Sequence, residues 1–199
     1  SLGEMLGAHP AIRYVADRRI VVDHGVATTT GITASMPAML TLIEAIGGQD
    51  KAQAGARDLG LSDWDARHHS EAFRLTRPFV ATVLANSLAF WNWERLGIEL
   101  TPDIDEVSLA LVADAWSRTY RSRALTFAAS PGTRETRNGA RIVPDQVATS
   151  WPADQRIPKI GNELPARALD RTLHEIVARY GTRTANGVAL QLEYPRARE

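Results

Sequence analysis

The feature that most constrains this chain is a change of rhythm over residues 14–48, where strand-like patterning gives way to helix-like patterning through a loop of small residues. Residues 19–23 and 26–29 are short β-rich stretches on either side of His24-Gly25. Thr28-Thr29-Thr30-Gly31-Ile32-Thr33 then leads into a helix that begins near Ala34. A period of 2 replaced by one of 3.6 predicts a strand–loop–helix crossover, and with it an α/β architecture. Over residues 34–46, Met36, Met39, Leu40, Ile43 and Ile46 recur at helical spacing and predict one buried face. Gly47-Gly48 ends this helix, and a second one over residues 51–59 puts Ala52, Ala56 and Leu59 on a common side.

Downstream, Thr76-Arg77-Pro78 reads as a helix opening, with Thr76 as N-cap and proline inside the first turn, where its missing N–H costs nothing. The helix so opened is expected to run to Gly97, with Val80, Val83, Leu84, Leu88 and Trp91 along a broad apolar side that needs a partner. A short helix is expected over residues 2–8, and further helices over 105–117, 165–180 and 182–194. A strand is expected over 124–128, and a hairpin joins 134–136 to 140–143 through Asn138-Gly139, a tight-turn pair.

A constant shift of 133 lays residues 35–61 over residues 168–194 without gaps. It pairs Leu40 with Leu173, Ile43 with Ile176, Ala45 with Ala178, Gly48 with Gly181, Ala52 with Ala185, Ala56 with Ala189 and Leu59 with Leu192. Identities confined to apolar and small residues predict an internal repeat of a helix–glycine–helix unit.

Asp23, Gly25, Thr28, Thr29, Gly31, Thr33, Ser35, Leu40, Ile43, Glu44 and Gly48, in that order, resemble the closing half of the ThiJ/PfpI superfamily, whose α/β sandwich is shared with class I glutamine amidotransferases. The resemblance is densest over residues 10–61. Beyond it, the run Asp103 to Leu111, then Leu125-Thr126-Phe127-Ala128-Ala129, then Thr136 to Asp145 is similar to the family's opening half, shortened and with Ser108 where the family's acidic assistant to the nucleophile stands. The resemblance implies a partial flavodoxin-like or amidotransferase-like sandwich, helices covering a mixed sheet. It divides the chain into the C-terminal part of a ThiJ/PfpI-like domain, residues 1–100, and a degenerate half-domain, residues 101–199. It further implies that an N-terminal half of the first domain is missing, that a small molecule is the ligand, and that the family's habit of homodimerisation extends here. The activity it implies is a cysteine-dependent hydrolase or hydratase whose nucleophile lies upstream. The alternative is a non-catalytic sensing or assembly module, including the ligand-binding domain of a regulator. Cytoplasm and bacterial envelope are both compatible with the resemblance.

The chain holds no cysteine, so no thiol chemistry, disulfide or thiolate metal site arises from it. Lys plus Arg and Asp plus Glu number 23 each, which supplies no field to gather a phosphate backbone, and nucleic acid is not an expected partner. No apolar run is long enough to span a bilayer within this segment. No Gly-x-Ser-x-Gly elbow and no phosphate-binding glycine loop is present, so neither catalytic residues nor a cofactor are assigned. Asp65, His68 and His69 are expected on a solvated turn rather than on a metal. His24 is expected exposed at a hairpin tip, and His174 on a helix surface. One segment is expected near a pocket: Thr30, Gly31 and Thr33, in the loop that by resemblance lies at the carboxyl ends of the strands, where open α/β sheets bind ligands. Thr33 is also the expected N-cap of the helix that follows, with Ser35 in its first turn.

Overall fold

Residues 7–68, 70–73, 76–88 and 93–194 are described by the computed structural model. Of the expected helix over residues 2–8, only Gly7 and Ala8 lie within them. The first elements are the hairpin β1 (Ile20–Asp23) and β2 (Val26–Thr29), antiparallel with Ile20 opposite Thr29, and turned by His24 and Gly25, both at positive φ. A short 3-10 turn (Ile32–Ala34) follows, then helices α1 (Ser35–Gly47) and α2 (Gln49–Leu59). Helix α3 (Arg77–Leu88) opens where the Thr76-Arg77-Pro78 signal places it, and the Thr76 hydroxyl accepts from the Phe79 N–H at 3.4 Å.

Helix α3 does not continue to Gly97. Residues 94–99 form the strand β3 (Glu94–Glu99), in which Leu96 and Ile98 are buried. Gly97 is a mid-strand residue with the Trp151 indole against its backbone, where any Cβ would collide. The glycine that reads as a helix stop is there for close approach. The expected apolar side of α3 is also turned about: Val80, Leu84 and Leu88 face outward, while Asn86 is buried and donates to the Thr119 carbonyl (2.9 Å) and the Thr184 hydroxyl (3.2 Å). Trp91 lies outside the described residues.

Strand β3 leads through α4 (Glu106–Ser117) to β4 (Ser122–Ala128), which pairs parallel with β3 from Glu94 opposite Ser122 to Glu99 opposite Phe127. The side chain of Asp105 caps α4 by accepting from the Ser108 N–H at 2.7 Å. The Asn138-Gly139 hairpin forms as expected between β5 (Arg134–Glu135) and β6 (Arg141–Ile142), with Gly139 at φ 86. Strand β7 (Gln146–Val147) then adds parallel to β4. Helices α5 (Pro165–Tyr180) and α6 (Thr182–Leu192) close the described chain.

The molecule is α/β, with the parallel sheet β3-β4-β7 and two separate antiparallel hairpins rather than the single mixed sheet expected. A sheet of parallel strands must be covered; α4 packs on β4, and α5 packs on α4. Leu96, Ile98, Val112, Trp116, Leu169, Leu173, Ile176, Val188 and Leu192 form one core with Met36 from α1, so a single apolar interior serves both halves of the chain. Strand β3, within residues 1–100, is hydrogen-bonded to β4 of the following half.

Candidate functional site

The loop over residues 28–33 sits against the far end of the chain. Helix α6 ends at Glu193, which takes the left-handed conformation with φ 53 and ψ 37. The corresponding residue at the end of α2 is Gly60, at φ 77 and ψ 26. A glutamate in this region costs about 1 kcal/mol more than a glycine does. Its side chain lies flat on Gly31, where a Cβ would stand only 2.6 Å from Glu193 Cγ. Gly31 is required by this contact and not by its backbone, whose φ is −35.

The Thr33 hydroxyl donates to the Leu192 carbonyl (2.8 Å) and reaches that of Glu193 (3.2 Å), satisfying orphan carbonyls at the end of α6. Thr33 is therefore not the N-cap of α1. The 3-10 turn runs directly into α1, and Ser35 Oγ donates back to the Ile32 carbonyl at 2.7 Å. The Thr30 N–H donates to Arg19 O at 3.0 Å, while its buried hydroxyl oxygen has no hydrogen-bond partner.

His68 completes the cluster. It is 5 % exposed, so the solvated turn expected around Asp65 and His68 holds for Asp65 and fails for His68. Asp65 accepts from the Arg67 N–H at 3.0 Å, and the Arg67 guanidinium, hydrogen-bonded to it, holds its carboxyl below the ordinary value. The next side chain turns inward: the His68 ring stacks on Phe73 with centroids 5.2 Å apart, and its Nε2 stands 3.2 Å from Glu193 Oε2. That separation is an ion-pair distance without hydrogen-bond alignment, and the buried Oε2 accepts no hydrogen bond. Asp17 anchors the segment, accepting from the His68 N–H through its carbonyl (3.1 Å) and from the Ser70 N–H through its carboxylate (3.1 Å).

Thus Gly31, Thr33 and His68 each contact Glu193, while Thr30, the neighbour of Gly31, is tied to Arg19. The meeting of His68 with Glu193 escaped the sequence reading, which placed His68 on a solvated turn: the two residues are 125 apart, and Glu193 stands in no motif. His69 lies outside the described residues. His24 is exposed with its Nδ1 2.8 Å from Asp23 Oδ1, and His174 is exposed on α5 with Nδ1 2.8 Å from Asp170 O. Among the described residues no group of three or more His, Cys, Asp or Glu is placed to hold a metal, and no helix is long and apolar enough to cross a membrane.

Chemically, this region offers the buried His68 imidazole, together with a Glu193 carboxylate oxygen and a Thr30 hydroxyl whose hydrogen-bonding capacity is unused. Such groups orient a polar ligand or stabilise a charge; none is an activated nucleophile. Comparison with protein-family models, curated proteins and solved structures finds no match to the chain.

Proposed function

We propose that this chain is the pocket-wall and packing part of a ThiJ/PfpI-like α/β protein, with no chemistry of its own. In this reading the half-domain after residue 100 is an assembly module, and its task is to fix the Thr30–Gly31–Thr33 loop beside a small-molecule site. The observation that carries the reading is the seating of Glu193 on Gly31, together with the Thr33 hydroxyl bonded to the end of α6. A loop that served only as a connection would not need a strained glutamate packed on it from the opposite end of the chain.

The test is an assay of the purified chain on an activated ester and on an isonitrile. Turnover at the buffer rate is the expected result; turnover that disappears in His68→Ala would overturn the reading and place chemistry in the cluster itself. The hydrolase or hydratase reading of the larger protein draws support from the unpartnered Thr30 hydroxyl and Glu193 Oε2 beside buried His68. It requires a thiol from outside these 199 residues. For that larger protein, loss of activity on alkylation, together with a fall in kcat in Thr30→Val, is the supporting outcome. Activity insensitive to alkylation would exclude the cysteine mechanism.

A further inference from the structure

The two helical pairs are the same backbone object twice, 133 residues apart. Gly48, between α1 and α2, has φ 88 and ψ 164; Gly181, between α5 and α6, has φ 85 and ψ 162. Their N–H groups donate to Glu44 O and Val177 O, equivalent carbonyls, at 3.0 and 2.8 Å. The second helix of each pair ends in the left-handed region, at Gly60 and Glu193. The next N–H then closes back at 2.9 Å in both cases, from Leu61 to Ala56 and from Tyr194 to Ala189. Equivalent residues of the two pairs are buried alike: Leu40 and Leu173, Ala52 and Ala185, Ala56 and Ala189.

The pairs also meet end to start, and at the two junctions the side chains change places. Under the same shift Gly31 is the equivalent of Leu164, each leading into the helical run that opens its pair. Where the end of α2 meets the start of α5, a Cβ on Gly60 would stand 3.0 Å from Leu164 Cβ and 3.5 Å from Ala166 Cβ. Where the end of α6 meets the start of α1, a Cβ on Gly31 would stand 2.6 Å from Glu193 Cγ. Each junction therefore fits one glycine to one side chain. In the first, leucine comes from the helix start and glycine takes the left-handed position that suits it. In the second, glycine stands at the start and the left-handed position carries a glutamate at φ 53, where a Cβ is disfavoured. The fold has an unstrained, uncharged solution to this junction and uses it at the other one.

Hydrogen bonding does not offset the strain. Glu193 Oε2 is buried and accepts no hydrogen bond among the described residues, although His68 Nε2 is 3.2 Å away. A carboxylate retained for stability alone has its buried oxygens satisfied. The Glu193 side chain is 26 % exposed and that of His68 3 %, so outward rotation of the glutamate uncovers the imidazole without unpacking it. We infer that Glu193 is a placeholder: the space between Gly31 and His68 is a seat for the carboxylate of a small organic acid, which the glutamate fills until the acid displaces it. The incoming carboxylate takes His68 Nε2 as its partner and lies on the bare backbone of Gly31, while Glu193 returns to water. This assignment rests on the small-molecule reading above and narrows it to acids. Because the seat is open only in the fraction of molecules with Glu193 withdrawn, the apparent affinity of the unaltered chain is lowered by that fraction.

Acetate is the probe, titrated at constant ionic strength into the 199-residue chain and into Glu193→Gly, and followed by the Gly31 amide and the His68 imidazole nitrogen resonances. Glu193→Gly is expected to bind acetate at least about tenfold more tightly than the unaltered chain, with both sets of resonances moving. Acetamide, neutral and of the same shape, is expected to move neither. The urea midpoint of Glu193→Gly is expected to equal or exceed that of the unaltered chain and to rise further with acetate. His68→Phe, which keeps a ring against Phe73, is expected to remove the binding in the Glu193→Gly background; if it fails to fold, the resonances of the intact imidazole decide. Equal affinity in the two proteins, or a lowered midpoint that acetate does not restore, would overturn the inference and make Glu193 a structural pin. Acetate that shifts other residues and leaves Gly31 and His68 unmoved would overturn it too, with the small-molecule reading left standing. Ester turnover that disappears in His68→Ala would instead overturn the chemistry-free reading and leave the seat, so the two failures are told apart.

Discussion

The contact between Gly31 and Glu193 rests on atoms rather than on backbone preference, and this makes it testable at the level of single residues. A methyl group at position 31 has no room beside Glu193 Cγ and Cδ. Gly31→Ala is therefore expected to destabilise the protein by about 1–3 kcal/mol, the usual cost of overpacking. In a Glu193→Ala background, which keeps the left-handed position occupied but removes the overlying chain, the same substitution is expected to cost less than about 1 kcal/mol. Urea unfolding of the four proteins measures the coupling, and simple additivity would show that the two residues do not press on each other. Gly31 was legible as a special position, but the reason for it was not: its neighbour comes from the opposite end of the chain. His68 fails for the same reason, since Asp65 is half-buried and Arg67 exposed beside it, and Phe73 marks the inward turn. Thr33 is a hydroxyl ahead of a helix, which is the ordinary N-cap signature. A tertiary acceptor on α6 took its hydrogen bond instead.

Elements whose signals are local were legible in outline. Asp105 before α4, the Asn138-Gly139 turn, and the proline and glycine at the two ends of α5 each act through their immediate neighbours. Strand β3 was not legible. Its Leu96 and Ile98 alternate, but they follow apolar residues that read at helical spacing as far as Trp91, and Gly97 reads as a stop until Trp151 is seen against it. Glu94 at its start receives hydrogen bonds from Arg179 Nε (2.8 Å) and the Tyr180 hydroxyl, which tie the strand to the end of α5. Burial raises the pKa of this carboxyl, but the hydrogen bonds from Arg179 and Tyr180 outweigh it and leave the value below 4.5. A depressed carboxylate stabilises the fold above its unfolded pKa, and that contribution is lost as pH falls through the folded value. Glu94→Gln is thus expected to cost about 1–2 kcal/mol at pH 7 and progressively less as pH falls below 4.5. Denaturant midpoints of both proteins at pH 7 and pH 3 decide it, and an equal difference at the two pH values would mean that the charge is not what holds the strand.

At the scale of the molecule, the repeat was visible as seven identities, but its unequal settings were not, because a sequence shows which face of a helix is apolar and not whether anything covers it. The α5–α6 pair is held between α4 and α3, with Ile176 and Val188 fully buried. The α1–α2 pair shares its inner residues with the same core through Met36, yet leaves Met39, Leu42 and Ile43 to water. Identical backbones in unequal surroundings separate what the helix–glycine–helix unit contributes by itself from what its neighbours add. Local opening of a helix exposes only the surface that packing had buried, so the pair with fewer covered faces opens at lower free energy. In the 199-residue chain, amides over residues 173–177 are expected to be protected at least tenfold more than those over 40–44, a difference of about 1.4 kcal/mol or more. Native-state hydrogen exchange at low denaturant measures both in one experiment. Equal protection would mean that stability resides in the contact across Gly48 and Gly181, with α4 adding little. The larger protection in α5 would show that the neighbours, and not the unit, set the stability of each half.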